Sequence, residues 1–324
     1  MSIRLVSVVG LALALLAGCT APAVPSPEPT GAGAPDPAVT PDGFSLERLL
    51  VATPDLGANA IVSYADVAAA AEHAGLARPE GSLDDLAGWV YDLSGTGADD
   101  VVSVPWPASL GVADLTRHEE FVAAAGFGLP DVDAFAEVAA PPRVFTVAHG
   151  SFDVDAITAA LGEPVDGVWA QDGEELVSDL DGPRAIDRLG RPVRIAGDDE
   201  VLVLTLERDL ARGWIAGSTR APADLLRVAR ALDAQGVYAA RLLADGDGYL
   251  GVGLAFRDGA SGAVAVRSGG TAPQVGATDG RYTVDAVETW GGVHIVQLTA
   301  DADVPPASVW QLFASFSPLL GAAR

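Results

Sequence analysis

The side chains of this chain that could do chemistry are few and widely spaced. There are four histidines, His73, His118, His149 and His294. A metal site carried by one element needs a pair such as His-Glu-x-x-His, and His118-Glu119-Glu120 is followed by no second histidine at that spacing. His118 falls on the apolar stripe of an expected helix and His294 inside an expected strand, positions that suit hydrogen-bonded core histidines, so no metal site is expected. His149 differs. It ends an expected strand, directly before Gly150-Ser151, where a ring could meet a substrate. It is the candidate catalytic residue, a general base for a secreted hydrolase that would work with carboxylates. Ser151 reads as a turn or cap residue, since the Gly-x-Ser-x-Gly elbow of a serine hydrolase occurs nowhere in the chain.

Acidic groups cluster at Asp172-Gly173-Glu174-Glu175, Asp179-Leu180-Asp181-Gly182, Asp198-Asp199-Glu200 and Asp245-Gly246-Asp247-Gly248. Calcium needs six or more oxygens, and none of these runs completes an EF-hand loop. Asp-Gly is also the residue pair of tight hairpin turns, the simpler reading here. The glycine pairs Gly95/Gly97, Gly126/Gly128 and Gly251/Gly253 each lack the third glycine of a dinucleotide fingerprint, so no cofactor is expected. Aromatic residues make up 6% of the chain, few for sugar platforms. Five of the six tryptophans fall in expected core positions. Trp106, between Pro105 and Pro107, is read as a loop residue and is the candidate ligand-binding aromatic.

Composition removes further classes. The 324 residues contain no lysine, which excludes a Walker A lysine, a Schiff-base lysine and a Ser-x-x-Lys nucleophile. With one cysteine, Cys19, there is no intrachain disulfide, no multi-cysteine metal site and no Cys-x-x-Cys redox pair. A net charge of −25 repels phosphate backbones, so nucleic acid is not an expected partner. The acidic surface is read as a solubility device. Abundant Ala, Gly, Arg, Pro and Asp with a single Asn point to a GC-rich genome.

Cys19 is where one chemical role is legible. Arg4 precedes an apolar run from Leu5 to Leu16, which ends in Leu16-Ala17-Gly18-Cys19. The run is about twelve residues, the length of a signal-peptide core and short of the roughly 20 that span a bilayer. This stretch resembles the lipobox of bacterial lipoproteins, and the whole chain is similar to the actinobacterial lipoproteins of unassigned activity. The resemblance implies diacylglyceryl transfer to the Cys19 sulfur, cleavage after Gly18 and acylation of the new amino group. Residues 1–18 are then a signal peptide. Residues 19–43, with Pro22, Pro25, Pro27, Pro29, Pro35, Pro37 and Pro41, form a tether. Proline at that density favours extended polyproline II, which at about 3.1 Å per residue reaches up to about 70 Å from the bilayer. The expected place is the extracytoplasmic face of the cell membrane, held by lipid.

The remaining residues, 44–324, read as a globular α+β unit. Residues 44–140 carry helical signals. Ser63 and Asp66 resemble a capping box with Val62 and Val67 as its staple, and Gly75 closes that helix. Ser82 and Asp85 open a second, bearing Leu86, Trp89, Val90 and Leu93. Asp114 is read as the cap of a third, which Gly126 ends, and Asp131–Ala139 as a short fourth. From Pro141-Pro142 onward the chain is strand-rich. Strands are expected at Arg143–His149, Gly167–Gln171, Pro192–Ala196, Glu200–Leu206, Trp214–Gly217, Val237–Leu243, Tyr249–Arg257, Ala263–Arg267, Tyr282–Trp290 and Val293–Thr299. Helices are expected after Asp153, after Pro222 and over Pro305–Leu320. A helical layer followed by a mostly antiparallel sheet with packed helices is the expected architecture. The expected role is non-enzymatic binding or scaffolding of a protein or small molecule. Two alternatives stand beside it: a carrier holding a small or lipidic ligand, and the hydrolase built on His149.

Overall fold

Most strands of this chain carry apolar side chains on both faces, and that two-sidedness dictates helices above and below the sheet. The computed structural model describes residues 44–80, 82–97, 99–170, 173–175, 177–179, 185–187, 190–257, 260–270 and 281–312. Cys19 and the tether lie outside the described residues, as do Phe313, Phe316 and Leu320 of the expected last helix. Along the chain come α1 (Leu46–Leu50), β1 (Ile61–Asp66), α2 (Val67–His73), α3 (Leu83–Ser94), α4 (His118–Ala125), β2 (Val132–Ala140) and β3 (Arg143–Gly150). Next are α5 (Val154–Leu161), β4 (Val168–Ala170), β5 (Arg194–Gly197), β6 (Val201–Thr205), α6 (Arg208–Ile215) and α7 (Ala223–Asp233). Then come β7 (Val237–Asp245), β8 (Gly248–Arg257), β9 (Ala260–Ser268), β10 (Tyr282–Trp290) and β11 (Val293–Ala300); β7, β8 and β9 form a meander, whereas β11, not β10, lies beside β9.

Among the described residues the strands form one eleven-stranded sheet in the order β10-β11-β9-β8-β7-β1-β2-β3-β6-β5-β4. Every neighbouring pair is antiparallel. One face packs Ala65, Phe135, Ala148, Leu204, Ala239 and Leu254 against Trp89 and Leu93 of α3, Phe121 of α4 and Ile157 of α5. The other packs Tyr64, Phe145, Leu242 and Val266 against Leu46, Leu49 and Leu50 of α1 and Val228 and Leu232 of α7. The fold is α+β. No helix among the described residues is long and apolar enough to cross a membrane.

Local chemistry explains several boundaries. Ser82 and Asp85 form a full capping box on α3, each side chain bonding the other's backbone. Asp153 accepts from the backbone N–H groups of Asp155 and Ala156 and so opens α5. Gly126 ends α4 at φ +78°, with room for no side chain: a Cβ there would lie 2.5 Å from the backbone of Ile157 in α5. Gly126→Ala therefore incurs both left-handed strain and a clash with backbone. It is expected to cost more than about 1 kcal/mol, read as a lowered thermal midpoint.

Four expected features differ. Residues 61–66 are a strand, and the helix they were expected to open begins only at Val67, with Asp66 as the residue that caps it at Ala69 N–H (2.9 Å). Asp131–Ala139 is no helix: Val132–Ala140 is β2, in the middle of the sheet, because packing on both faces overrides the helical preference of its alanines. Trp214–Gly217 is not a strand, since Trp214 lies in the last turn of α6. Asp114 caps no α-helix either. It has φ −144° and ψ 82° inside a short 3-10 turn, and α4 begins at His118. Residues 44–140 thus supply two central strands and are not a separate helical layer.

The first helix is short and held from far away. Asp233, at the end of α7, accepts from Ser45 Oγ (2.7 Å) and from the N–H groups of Leu46 (2.8 Å) and Glu47 (2.8 Å). Asp66 likewise accepts from Phe44 N–H (3.1 Å). Burial outweighs these bonds and holds both carboxyls above the usual carboxylate range. The folded state therefore takes up these protons before the unfolded chain does as pH falls. Stability from these groups rises as pH drops from their raised folded values toward about 3.9, and is flat above that window. Asp233→Asn removes one such titration. The thermal midpoint of wild type minus that of the variant should grow across the window, and a difference that shrinks there would contradict this assignment.

Candidate functional site

The strand register gathers polar side chains into one row on the α3-covered face of the sheet. Ser63 of β1 faces Glu137 of β2 on one side and Arg241 of β7 on the other, and Glu137 faces Thr146 of β3. Their same-face neighbours, Ala65, Phe135, Ala148 and Ala239, are all core residues, so the row crosses an otherwise apolar surface. Glu137 is 5% exposed and accepts from Ser109 Oγ (2.5 Å) and Thr146 Oγ1 (3.1 Å), while the two hydroxyls are 2.8 Å apart. That end of the row is a closed network, as a buried carboxylate requires.

Arg241, at the other end, is not closed in this way. It makes no hydrogen bond or ion pair with any described residue, and its buried Nε–H has no acceptor. Its guanidinium lies over the Trp310 ring, 5.6 Å from the centroid. Burial pulls its pKa below the usual arginine value. In a chain with 44 acidic residues, a half-buried arginine without a carboxylate is unusual. Trp310 is itself fixed, since its Nε1–H donates to Ser103 Oγ (2.9 Å). Ser103 also ties β7 to the preceding loop, its N–H donating to Tyr238 Oη (3.0 Å). Tyr238 stacks on Phe256 at 4.2 Å, and burial pushes its phenol up to about 12.

A cavity of about 190 Å³ adjoins this cluster. Its floor includes Leu254 of β8, Ala263 of β9 and Tyr282 of β10, and the segment from Asp301 to Val309 closes one side. Asp100 and Asp301 stand in its walls. Arg241 pairs with Val252, and Leu254 is the next same-face residue along β8, so Arg241 and the cavity-lining Leu254 are diagonal neighbours, about 7–8 Å apart in backbone. Val309 lines the cavity and the next residue, Trp310, covers Arg241.

The residues singled out from sequence fall elsewhere. His149 stands near the end of β3, half-buried, with the Phe44 ring 5.3 Å away. Burial and the nearby Arg48 charge keep its pKa below the usual histidine value. Asp198, Glu200 and Asp133 act on it through space, but it hydrogen-bonds none of them, so the geometry gives no general-base pair. Trp106 is packed between Trp89 (5.7 Å) and Phe135 (6.1 Å) instead of standing out from its loop. The buried indole N–H groups of Trp89 and Trp106 lack acceptors. No group of three or more His, Cys, Asp or Glu side chains is placed to hold a metal among the described residues. Arg241 and Glu137 were missed from sequence. Their signal is a single charge inside an apolar run, Val237–Leu243 and Ala134–Ala140 respectively.

Comparison with known proteins assigns neither family nor function. No family model and no curated protein matches the chain. Among solved structures, crystal form I of TP0453 superposes with a TM-score of 0.37 and 8% identity, over 84% of this chain and 98% of that one.

Proposed function

We propose that the chain is a lipid-anchored protein of the bacterial cell envelope, with a non-enzymatic binding unit carried on a proline-rich tether outside the membrane. The observation that carries the anchor is Cys19, the chain's only cysteine, placed directly after Leu16-Ala17-Gly18 and an apolar run of signal-peptide length. Two or more acyl chains hold a protein at a bilayer stably, where one does so marginally. The membrane is then a partner through the lipid, and the −25 charge disfavours nucleic acid as another. Binding is preferred to hydrolysis because His149 and Trp106 are both engaged in packing, whereas the unpaired Arg241 beside a cavity is the arrangement of a recognition site.

The anchor is tested by feeding cells an alkyne-tagged fatty acid and following its incorporation into wild type and Cys19→Ala. Label on the wild type alone is the expected result, and equal label on both overturns the assignment. A native mass spectrum of the purified chain tests binding: a co-purified small molecule supports a carrier, and its absence supports a scaffold for another protein.

A further inference from the structure

We infer that Arg241 and the adjoining cavity form a site for a singly charged amphiphile, an alkyl carboxylate whose head pairs with the guanidinium and whose chain lies in the cavity. The inference deepens the binding role proposed above and rests on it. Three observations carry it. The first is that Arg241 has the buried Nε–H without an acceptor and no carboxylate on any described residue, so its charge lacks the partner that half-buried cations normally keep. A carboxylate supplies that partner with matched, two-pronged geometry.

The second is the setting. Val252, Leu254, Ala263 and Val309 make an apolar strip that leads from Arg241 along the sheet into the cavity, whose rim also carries Ser261. At about 190 Å³ the cavity is below the roughly 300–1,000 Å³ of sites for drug-sized molecules, so it suits a short alkyl chain. The third is charge selection. Asp100 and Asp301 in the cavity walls and the net charge of −25 oppose any anion, and a dianion twice as strongly as a monoanion. Asp100 is already engaged, accepting from Gly97 N–H (2.6 Å). A monoanion with its head at Arg241 and its chain toward those carboxylates satisfies the cation while keeping like charges apart.

The test titrates the full chain, carrying Cys19→Ala so that no acyl group of its own competes, with four probes by calorimetry: octanoate, octanol, octyl phosphate and inorganic phosphate. Octanoate is expected to bind saturably with one site, octyl phosphate more weakly as its dianion, and octanol and inorganic phosphate without saturation. Arg241→Gln should weaken octanoate at least about tenfold, the loss of one charge-assisted pair. Arg241→Lys, which keeps the charge but loses the two-pronged geometry, should bind octanoate more weakly than wild type and more tightly than Arg241→Gln. It serves in place of the glutamine variant should that fail to fold, when binding as tight as wild type would contradict the paired role given to Arg241. Octanoate that fails to bind, binds Arg241→Gln as tightly, or is matched by octanol or inorganic phosphate overturns the inference. None of these results bears on the anchor, because labelling at Cys19 is read independently of Arg241.

Discussion

Phe135→Ala is expected to destabilise the folded unit by about 3–5 kcal/mol, the usual cost of emptying a buried phenylalanine site. Phe135 is fully buried and sits on β2, between β1 and β3, so the strands around it cannot close on a void without disturbing their ladders. Its ring lies 6.1 Å from that of Trp106, which in turn meets Trp89 of α3, and the three couple the centre of the sheet to its helical cover. At roughly 2–4 °C per kcal/mol for a domain of this size, the thermal midpoint should fall by roughly 6–20 °C. Phe135→Leu, which keeps most of the volume, should lose less than about 1.5 kcal/mol. Calorimetric melting of the two variants checks both. Equal small losses would mean that the aromatic cluster is loosely packed.

This prediction concerns a residue that the sequence placed in the wrong element, and the reason is physical. Val132–Ala140 is rich in alanine and buried on both faces, so it lacks the alternation that marks a half-buried strand, and its local preference is helical. Only partners distant in sequence, β1 and β3, make it a strand. The same holds for Ser63 and Asp66, whose spacing imitates a capping box although Ser63 lies in β1 and only Asp66 caps. Where the deciding interactions are local, the sequence was legible. The capping box at Ser82, the cap at Asp153, the left-handed Gly126 and the strands from Val237 onward all stand where turn and cap chemistry put them, although β11 and not β10 takes the place beside β9.

The candidate site was less legible for the same reason. That Arg241 is a charge inside an apolar run can be read along the chain, but that it lacks a carboxylate follows only from the register that sets Ser63, not Glu137, beside it. Trp310 and the Asp301–Val309 wall of the cavity come from a segment more than 50 residues further on, and Asp100 and Val101 come from one far earlier in the chain. Conversely, His149 looked reactive because it ends a strand before Gly150-Ser151, and folding gave it the Phe44 ring as its neighbour.

The largest functional effect is expected at Cys19. Replacing its sulfur removes the only atom in the chain to which a thioether-linked diacylglyceryl group can attach, so Cys19→Ala should take acyl incorporation from stoichiometric to none. No second cysteine can substitute. Each buried methylene of an acyl chain contributes about 0.8 kcal/mol to membrane binding, so losing two or three chains removes all of the lipid's anchoring energy at one stroke. The folded unit, whose core packs residues such as Leu46, Phe135 and Leu232, should melt as the wild type does.

Lipidation of that one residue is the central proposal, and a mass measurement reads it directly. The N-terminal peptide of the chain, isolated from the membrane fraction of its own or a related bacterium, is expected to begin at Cys19 and to carry the mass of a diacylglyceryl group. A peptide that begins at Met1, or at any residue other than Cys19, or that bears an unmodified thiol, would contradict it.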